Sequence, residues 1–131
     1  MNRQRVAAVI IQNKKILLVR DDKTIFFGIP GGTLEDNENQ ISALTREILE
    51  EIGVPLEKAR YYYSIDHTNQ IYNVPQTDHI YIVSIKGIPI PSSEISELGW
   101  FSKDDLENKT VKIYPIFYDN IFPKLVKENF L

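Results

Sequence analysis

Three glutamates near the end of a predicted helix are the strongest candidates for chemistry in this 131-residue sequence. At about 100° per residue, Glu47, Glu50 and Glu51 lie within an arc of about 100° on one side of the helix. Like charges at such spacings destabilise a helix by roughly 0.2–0.5 kcal/mol per pair. A divalent cation offsets this repulsion, and magnesium and manganese prefer carboxylate oxygens completed by water and phosphates. The spacing therefore favours a metal site that also binds phosphate.

The segment around these glutamates is strongly acidic. Residues 31–51 contain six acidic side chains and a single basic one, Arg46. Arg46 lies one turn before Glu50 and can hold that carboxylate in place. The preceding PGGT places glycine backbone, including Gly31, where carbonyls and amides can approach a metal or a phosphate closely. Taken alone, a glutamate-rich helix face is more often a solvated surface, and composition by itself favours that alternative.

An ordered motif changes this balance. Residues 32–54 match the pattern GX5EX7REUXEEXGU, in which U is a bulky aliphatic residue, at every fixed position. This pattern is the Nudix box, and the sequence resembles the Nudix hydrolase family, in particular its MutT-like members. The likeness extends to PGG before the box and to an acidic segment before Trp100. Two positions depart from the family: Phe27 replaces a frequent tryptophan, and Asn37 replaces a frequent glycine. Asparagine tolerates positive φ, so we expect the loop geometry to be kept.

The resemblance implies a fold, a reaction and a cofactor. The fold would be α/β, an α/β/α sandwich with a central mixed β-sheet, and residues 1–131 would form a single Nudix hydrolase domain. The reaction would be metal-dependent hydrolysis of a diphosphate bond in a nucleoside diphosphate linked to another moiety, X. The residues that match the family's metal ligands are Glu47, Glu50 and Glu51, with the Gly31 carbonyl as a further ligand of Mg²⁺ or Mn²⁺.

Further catalytic roles follow from the same resemblance. Glu38 and Arg46 match residues that mainly support the loop and the helix. A carboxylate must accept the proton of the attacking water, and Glu47, Glu50 or Glu94 could serve. We rank Glu50 first as a metal ligand, and the identity of the general base stays open.

Candidates for substrate binding are less specific. Phe27 and Tyr72 could stack on a nucleobase, although aromatic side chains more often pack in cores or interfaces. Tyr72 lies eighteen positions after the box, where members that cleave dinucleoside polyphosphates often carry tyrosine. Arg20 could reach a substrate phosphate, with ordinary surface as the alternative. His67 and His79 could act as bases, but His79 opens a predicted strand, where a structural role is commoner.

Composition limits the partners. The net charge of −3 and the pI near 5.4 argue against binding a nucleic-acid polymer through its phosphates. The sequence has no cysteine, which suits a reducing compartment. Its longest apolar run, 6–11, is far shorter than a membrane helix needs. We therefore expect a cytoplasmic protein that acts on a small-molecule nucleotide without a membrane partner, as a monomer or a homodimer.

The elements that position the site can be predicted from periodicity. A helix is expected at 38–52, with Asn37 as N-cap and a stop at Gly53 and Pro55. The apolar stripe of this helix consists of Ile41, Leu44, Ile48 and Ile52.

β-branched and aliphatic runs predict the strands. The runs at 6–11 and 16–19 are expected to form a hairpin, and a short strand at 25–29 should end in a loop at PGG. Strands at 59–65 and 79–85 should pair, with 67–78 as a long polar loop. The remaining predicted elements are a strand at 98–101, a one-turn helix at 103–106 capped by Ser102, and a helix within 116–130 that Pro123 interrupts or starts.

Three functional readings remain from the sequence. The short chain favours a MutT-type nucleoside triphosphate pyrophosphatase over other Nudix enzymes. A dinucleoside polyphosphate or nucleotide-sugar hydrolase is the alternative suggested by Tyr72. A non-catalytic nucleotide-binding Nudix module belongs to a different class. The complete set of Glu47, Glu50 and Glu51 argues against such a module, because a degenerate binder is expected to lose one of them.

Overall fold

The computed structural model of the chain describes residues 2–69 and 71–131. Its strands are β1 (Arg3–Val9), β2 (Ile11–Gln12), β3 (Lys15–Asp21), β4 (Phe27–Gly28), β5 (Gly31–Thr33), β6 (Leu56–Asn69), β7 (Val74–Ile85) and β8 (Ile95–Ser102). Its α-helices are α1 (Gln40–Ile52), α2 (Lys103–Glu107) and α3 (Phe122–Lys127), and a π-helical turn, Phe117–Ile121, leads into α3. Among the described residues, no helix has the length and apolar character needed to cross a membrane.

Two four-stranded sheets form the centre of the molecule. The first sheet has the order β5-β1-β7-β6. In it, β1 runs parallel to β7 and antiparallel to β5, while β6 and β7 are antiparallel, so this sheet is mixed. In the second sheet, β3 pairs with β8 along its length and with β2 and β4 at its two ends, all antiparallel.

Helices cover both sides of the sheets. Val6 and Ala8 of β1 pack into a core that includes the buried face of α1. Ala7 and Val9 face the opposite side, where the π-helical turn and α3 complete a second core. Both faces of β1 are buried from Val6 to Val9, and this part of the strand is accordingly apolar at every position rather than alternating. The predicted α/β sandwich with a central mixed sheet is confirmed.

Helix α1 begins two residues later than predicted. Its N-cap is Asn39, whose side-chain oxygen accepts a hydrogen bond from the Ser42 N–H at 2.8 Å. Asn37 lies in the loop before it with a φ of 64°, the conformation that asparagine tolerates. At the other end, Gly53 has a φ of 69° and donates its N–H to the Leu49 carbonyl, as the predicted stop requires.

The buried face of α1 differs from the predicted stripe at one position. Leu44, Ile48 and Ile52 are fully buried, as predicted. Ile41 is 46% exposed, and Ala43 is the buried residue of that first turn. Ala43 therefore takes the core-facing position that the predicted stripe assigned to Ile41.

Replacing Asn39 with alanine is expected to lower the free energy of unfolding by about 1 kcal/mol, because the first turn loses its capping acceptor. Urea unfolding followed by circular dichroism measures the change. Asn39→Asp is the control, since it keeps an acceptor and adds a negative charge at the helix N-terminus. Wild-type stability in Asn39→Ala, or an equal loss in Asn39→Asp, would contradict the capping role of the Asn39 side chain.

The predicted hairpin between 6–11 and 16–19 is mostly wrong. β1 and β3 belong to different sheets, and the hairpin is confined to β2 and the Ile10 carbonyl, which bond to the start of β3. The tight polar turn is present, with Asn13 and Lys14 at φ values of 52° and 61°. The chain leaves the first sheet after β1, because β5 and β7 already occupy both edges of that strand.

The predicted loop at 67–78 is also wrong, because β6 and β7 continue through most of it. Their pairing runs from Leu56 opposite Ile85 to Asn69 opposite Val74. Polar side chains bond across this part of the ladder: His67 Nε2 lies 2.9 Å from an Asp78 oxygen, and Asn69 donates to Gln76 at 2.7 Å. Cross-strand polar pairs of this kind stabilise a sheet as apolar pairs do.

Three smaller features complete the comparison. The strand predicted at 25–29 is reduced to β4, and PGGT contributes β5 rather than a loop. The strand at 98–101 and the capped helix after it are confirmed, since Ser102 and Asp105 form a reciprocal capping box. The single helix predicted within 116–130 is instead the π-helical turn followed by α3, with Pro123 in the first turn of α3.

Candidate active site

The carboxylates of α1 meet the segment that precedes β8 in one cleft. This segment is tied to the end of the helix by a hydrogen bond of 3.0 Å from the Ser92 N–H to the Glu51 carbonyl. The cleft has a volume of about 200 Å³. It is lined by Glu47, Glu50, Glu51, Ser93, Glu94 and Ile95. The fold thus brings together the three glutamates of one helix and a fourth from a distant part of the sequence.

Arg46 organises the entrance to this cleft. Its guanidinium donates two hydrogen bonds to the Glu38 carboxylate, at 2.8 and 3.0 Å. A third N–H donates to Glu47 at 2.8 Å, and the same nitrogen lies 3.5 Å from a Glu50 oxygen. Arg46 also donates to the Thr33 carbonyl of β5 at 3.3 Å. One guanidinium therefore links the loop, the edge strand and two of the three candidate ligands.

The pair formed by Arg46 and Glu38 stays ionised. Hydrogen bonds from Arg46 and then from the Glu35 N–H lower the pKa of Glu38 to about 2, and the bond to Glu38 raises the pKa of Arg46. Glu35 adds a second carboxylate 3.3 Å from the guanidinium. Since charge-assisted bidentate pairs are directional, they hold the loop before α1 in one geometry.

Glu51 is the most deeply placed of the carboxylates. Its oxygen accepts a hydrogen bond from the Gly31 N–H at 2.8 Å. Burial raises the pKa of Glu51 to about 7, opposed by the Gly31 hydrogen bond and by the charge of Arg5, while the charges of Glu47 and Asp21 raise it further. A second cation close to this group would favour its ionised form.

The donor set fits a hard divalent cation. Burial raises the pKa of Glu47 despite its hydrogen bond to Arg46, whereas the side chain of Glu50 is 51% exposed. Within residues 2–69 and 71–131, no group of three or more acidic or histidine side chains is assembled around a common point as a metal site. The carboxylates are held instead by Arg46 and Gly31. All the acidic groups of the cleft offer oxygen, the donor that Mg²⁺ and Mn²⁺ prefer.

Two glycines of β5 leave the space that this arrangement needs. A Cβ on Gly32 would meet the Glu47 carboxyl group, and a Cβ on Gly31 would meet the backbone of Val6 in the neighbouring strand. The main role of the two glycines is therefore to let β5 approach both β1 and α1 closely, rather than to turn the chain.

Gly31→Ala is expected to lower the free energy of unfolding by about 2 kcal/mol or more, because its Cβ would strike backbone that has little freedom to move. Gly32→Ala should cost less stability, since the Glu47 side chain can swing away, but it should weaken Mn²⁺ binding. Thermal unfolding and calorimetric Mn²⁺ titration separate the two effects. A Gly31→Ala variant as stable as the wild type would contradict this account of the close approach.

Arg20 lies beside a second depression rather than inside the carboxylate cleft. It donates to Glu97 at 3.0 Å and to the Thr24 carbonyl at 3.0 Å, so its guanidinium shapes the loop after β3. The depression has a volume of about 530 Å³ and adjoins the cleft where the Asp22 N–H donates to the Glu94 carbonyl at 2.9 Å. It is lined by Arg20, Asp22, Lys23, Thr24 and Ile25.

The two aromatic candidates are placed very differently. Phe27 is 5% exposed and packs edge-on against Phe101 at a centroid distance of 5.5 Å, so its ring offers no open face for a nucleobase. Tyr72 is 61% exposed at the turn between β6 and β7, and the Arg3 guanidinium lies 4.3 Å from its ring centroid. Arg3 also donates to the Thr33 hydroxyl at 2.8 Å, which connects Tyr72 to the strand that Arg46 holds.

Both histidines are bonded within the first sheet. His67 pairs with Asp78, and His79 lies 2.9 Å from the Ser64 hydroxyl and 2.7 Å from the Gln4 side-chain oxygen. Neither is among the described residues that line the cleft. The bonds of His79 match the structural alternative stated for that residue.

Sequence reasoning missed two neighbours of the site. Thr33 contributes its carbonyl to Arg46 and its hydroxyl to Arg3, and the charge of Asp21 acts on Glu51. Thr33 lies within the box, but at a position where the motif fixes no residue. Asp21 is brought near the cleft only by the pairing of β3 with β8, for which the local sequence carries no signal.

Comparison with known proteins identifies the family of the chain. The family model of the NUDIX domain matches residues 1–121. A MutT-like protein of Streptomyces ambofaciens is 24% identical over 116 residues, which cover 85% of this chain and 71% of that protein. An 8-oxo-dGTP diphosphatase of Buchnera aphidicola is 32% identical over 59 residues, 44% of this chain and 48% of that protein.

A solved structure extends the likeness to the fold. The MutT NUDIX hydrolase from Burkholderia pseudomallei superposes with a TM-score of 0.72 at 30% identity, over 80% of this chain and 86% of that one. The family match spans the whole of the acidic helix and the cleft around it. The chain belongs to the Nudix family and is a Nudix pyrophosphohydrolase.

Proposed function

We propose that this chain hydrolyses a diphosphate bond in a nucleoside diphosphate linked to X, with Mg²⁺ or Mn²⁺ held by Glu47, Glu50 and Glu51 and by the Gly31 carbonyl. The observation that carries the proposal is the cleft in which these carboxylates meet Glu94. Four acidic side chains in one small cleft repel each other, and a cation with bound phosphate relieves that repulsion.

In this reaction, Arg46 would position the carboxylates, and one carboxylate would accept a proton. A bound divalent ion supplies charge neutralisation for the phosphates and lowers the pKa of a water. Arg46 keeps Glu47 and Glu50 oriented through its anchored contact with Glu38. The attacking water gives its proton to a carboxylate, for which Glu47, Glu50 and Glu94 all lie in the cleft.

A MutT-type nucleoside triphosphate is the favoured substrate. The MutT-like protein and the 8-oxo-dGTP diphosphatase among the relatives support this choice. A dinucleoside polyphosphate or a nucleotide sugar is the alternative, supported by the exposed ring of Tyr72 and its connection through Arg3 to Thr33. The partner is in either case a small nucleotide in the cytoplasm, and the net charge of −3 supports this over a nucleic-acid polymer.

The sequence also left open a non-catalytic nucleotide-binding module. The fold alone is compatible with an enzyme and with a binding module, but a binding module does not need all three glutamates of α1. Retention of Glu47, Glu50 and Glu51 around one cleft favours the enzyme.

A hydrolysis panel tests these readings. Nucleoside triphosphates, dinucleoside polyphosphates and nucleotide sugars are each incubated with Mg²⁺, with Mn²⁺ and with EDTA, and products are separated by chromatography. We expect metal-dependent turnover that is fastest for a nucleoside triphosphate and releases pyrophosphate. Fastest turnover of another class would replace the favoured substrate, and nucleotide binding without turnover of any compound would favour the binding module.

A further inference from the structure

We infer that Arg5 binds an oxygen of the substrate's phosphate chain, reaching it from the face of the first sheet opposite α1. This inference rests on the proposed function, because it needs a phosphate chain in the carboxylate cleft. It adds a substrate-binding residue that lies outside the box and on the face of the sheet opposite α1, the helix that carries the three candidate glutamate ligands.

The position of Arg5 in β1 sets its direction. Ala7 and Val9, two and four residues later, face the core on the α3 side. Because side chains alternate along a strand, Arg5 shares their face, while α1 packs on the other. Its guanidinium donates to the Ile29 carbonyl at 3.2 Å, which places it at the segment that leads into β5.

Most of the hydrogen-bonding capacity of Arg5 is unused. A guanidinium has five N–H donors, and among the described residues the bond to Ile29 is the side-chain hydrogen bond that Arg5 makes. Asp78 stands opposite Arg5 in the neighbouring strand, but its two oxygens are already bonded to His67 and Gln76, at 2.9 and 2.7 Å. A half-buried cation with free donors is thus left beside the site.

The contacts around Ile29 bring this cation next to the cleft. Two residues after Ile29, the Gly31 N–H holds Glu51. Gly32, which follows, has no side chain to fill the space before the Glu47 carboxyl group. The charge of Arg5 accordingly opposes the effect of burial on the pKa of both carboxylates.

A guanidinium beside a cleft of metal-binding carboxylates suits the phosphate groups of a substrate better than its other parts. Acidic groups and their cation would neutralise one side of a diphosphate, and a guanidinium that offers parallel N–H groups neutralises the other. Lysine in its place would keep the charge but lose the paired donors.

Calorimetric titration with imidodiphosphate, a diphosphate that resists hydrolysis, tests the inference. Wild type, Arg5→Gln and Arg5→Lys are titrated with Mn²⁺ alone and with imidodiphosphate at saturating Mn²⁺. Arg60→Gln is the matched control, an exposed arginine on the far edge strand β6 of the same sheet.

We expect Arg5→Gln to bind imidodiphosphate at least about 10-fold more weakly, since a charge-assisted bidentate contact is lost. Arg5→Lys should fall between, and the control should match wild type. Mn²⁺ alone should bind Arg5→Gln equally well or more tightly, because a positive charge near the carboxylates is removed. In Arg5→Gln, the affinity for imidodiphosphate should therefore fall, while the affinity for Mn²⁺ alone should stay the same or rise.

Two results would overturn the inference alone. One is wild-type affinity for imidodiphosphate in Arg5→Gln, or in Arg5→Lys if the glutamine variant does not fold. The other is an equal loss of Mn²⁺ and imidodiphosphate affinity, which would mean that Arg5 only supports the backbone at Ile29. Failure of the wild type itself to bind imidodiphosphate with Mn²⁺ would overturn the proposed function together with the inference.

Discussion

Glu50→Gln is expected to reduce kcat by about 100-fold or more, because the substitution keeps the shape of the side chain and removes a charge needed at the metal. The fold should be unaffected, since the Glu50 side chain is 51% exposed and lies 3.5 Å from its Arg46 partner. Steady-state hydrolysis of the best nucleotide from the panel, at saturating Mg²⁺, measures the loss.

Glu107→Gln is the control for this experiment, because Glu107 is exposed on α2 and is not among the residues that line the cleft. Its kcat should equal that of the wild type, and both variants should melt at the wild-type temperature. Near-normal turnover of Glu50→Gln with an unchanged metal requirement would count against Glu50 as a ligand.

Glu51 should make the stability of the metal-free protein depend on pH. Burial raises its pKa from an ordinary value of 4.5 to about 7, so the fold favours the protonated carboxyl. Stability should therefore fall as pH rises from about 4.5 to about 7, by up to about 3 kcal/mol. The amide of Glu51→Gln has no charge to bury, so this variant should lack that decline and be more stable than metal-free wild type near neutral pH.

Urea unfolding in EDTA across this pH range measures the difference between the two proteins. Adding Mg²⁺ should restore stability to the wild type near neutral pH, because a ligand that binds only the folded state stabilises it. Parallel stability profiles for wild type and Glu51→Gln in EDTA would refute the assigned burial of this carboxyl group.

The features that were predictable from the sequence are those encoded by local spacing. The side of α1 that carries Glu47, Glu50 and Glu51 follows from helical geometry, and the stop at Gly53 follows from its left-handed conformation. The contact of Arg46 with Glu50, one turn apart, is of the same kind. The Nudix box added the family and the fold, which no periodicity in this chain would have supplied.

Long-range pairing was the part that the sequence did not reveal. The polar side chains of residues 67–69 predict a loop, yet His67 and Asn69 bond to polar partners on β7. Phe27 is in the core because β4 pairs with β3 and lies against Phe101. Thr33 is brought opposite Arg5 by the pairing of β1 with β5, whose paired residues lie 24 to 28 positions apart in the sequence.

The most direct test of the account is the anomalous difference density of manganese in crystals grown with Mn²⁺. We predict a peak in the cleft about 2.1 Å from oxygens of Glu47, Glu50 and Glu51, the distance expected for a hard divalent ion. Density elsewhere, or no peak while these three carboxylates point into solvent, would contradict the claim that one acidic helix binds the metal on which hydrolysis depends.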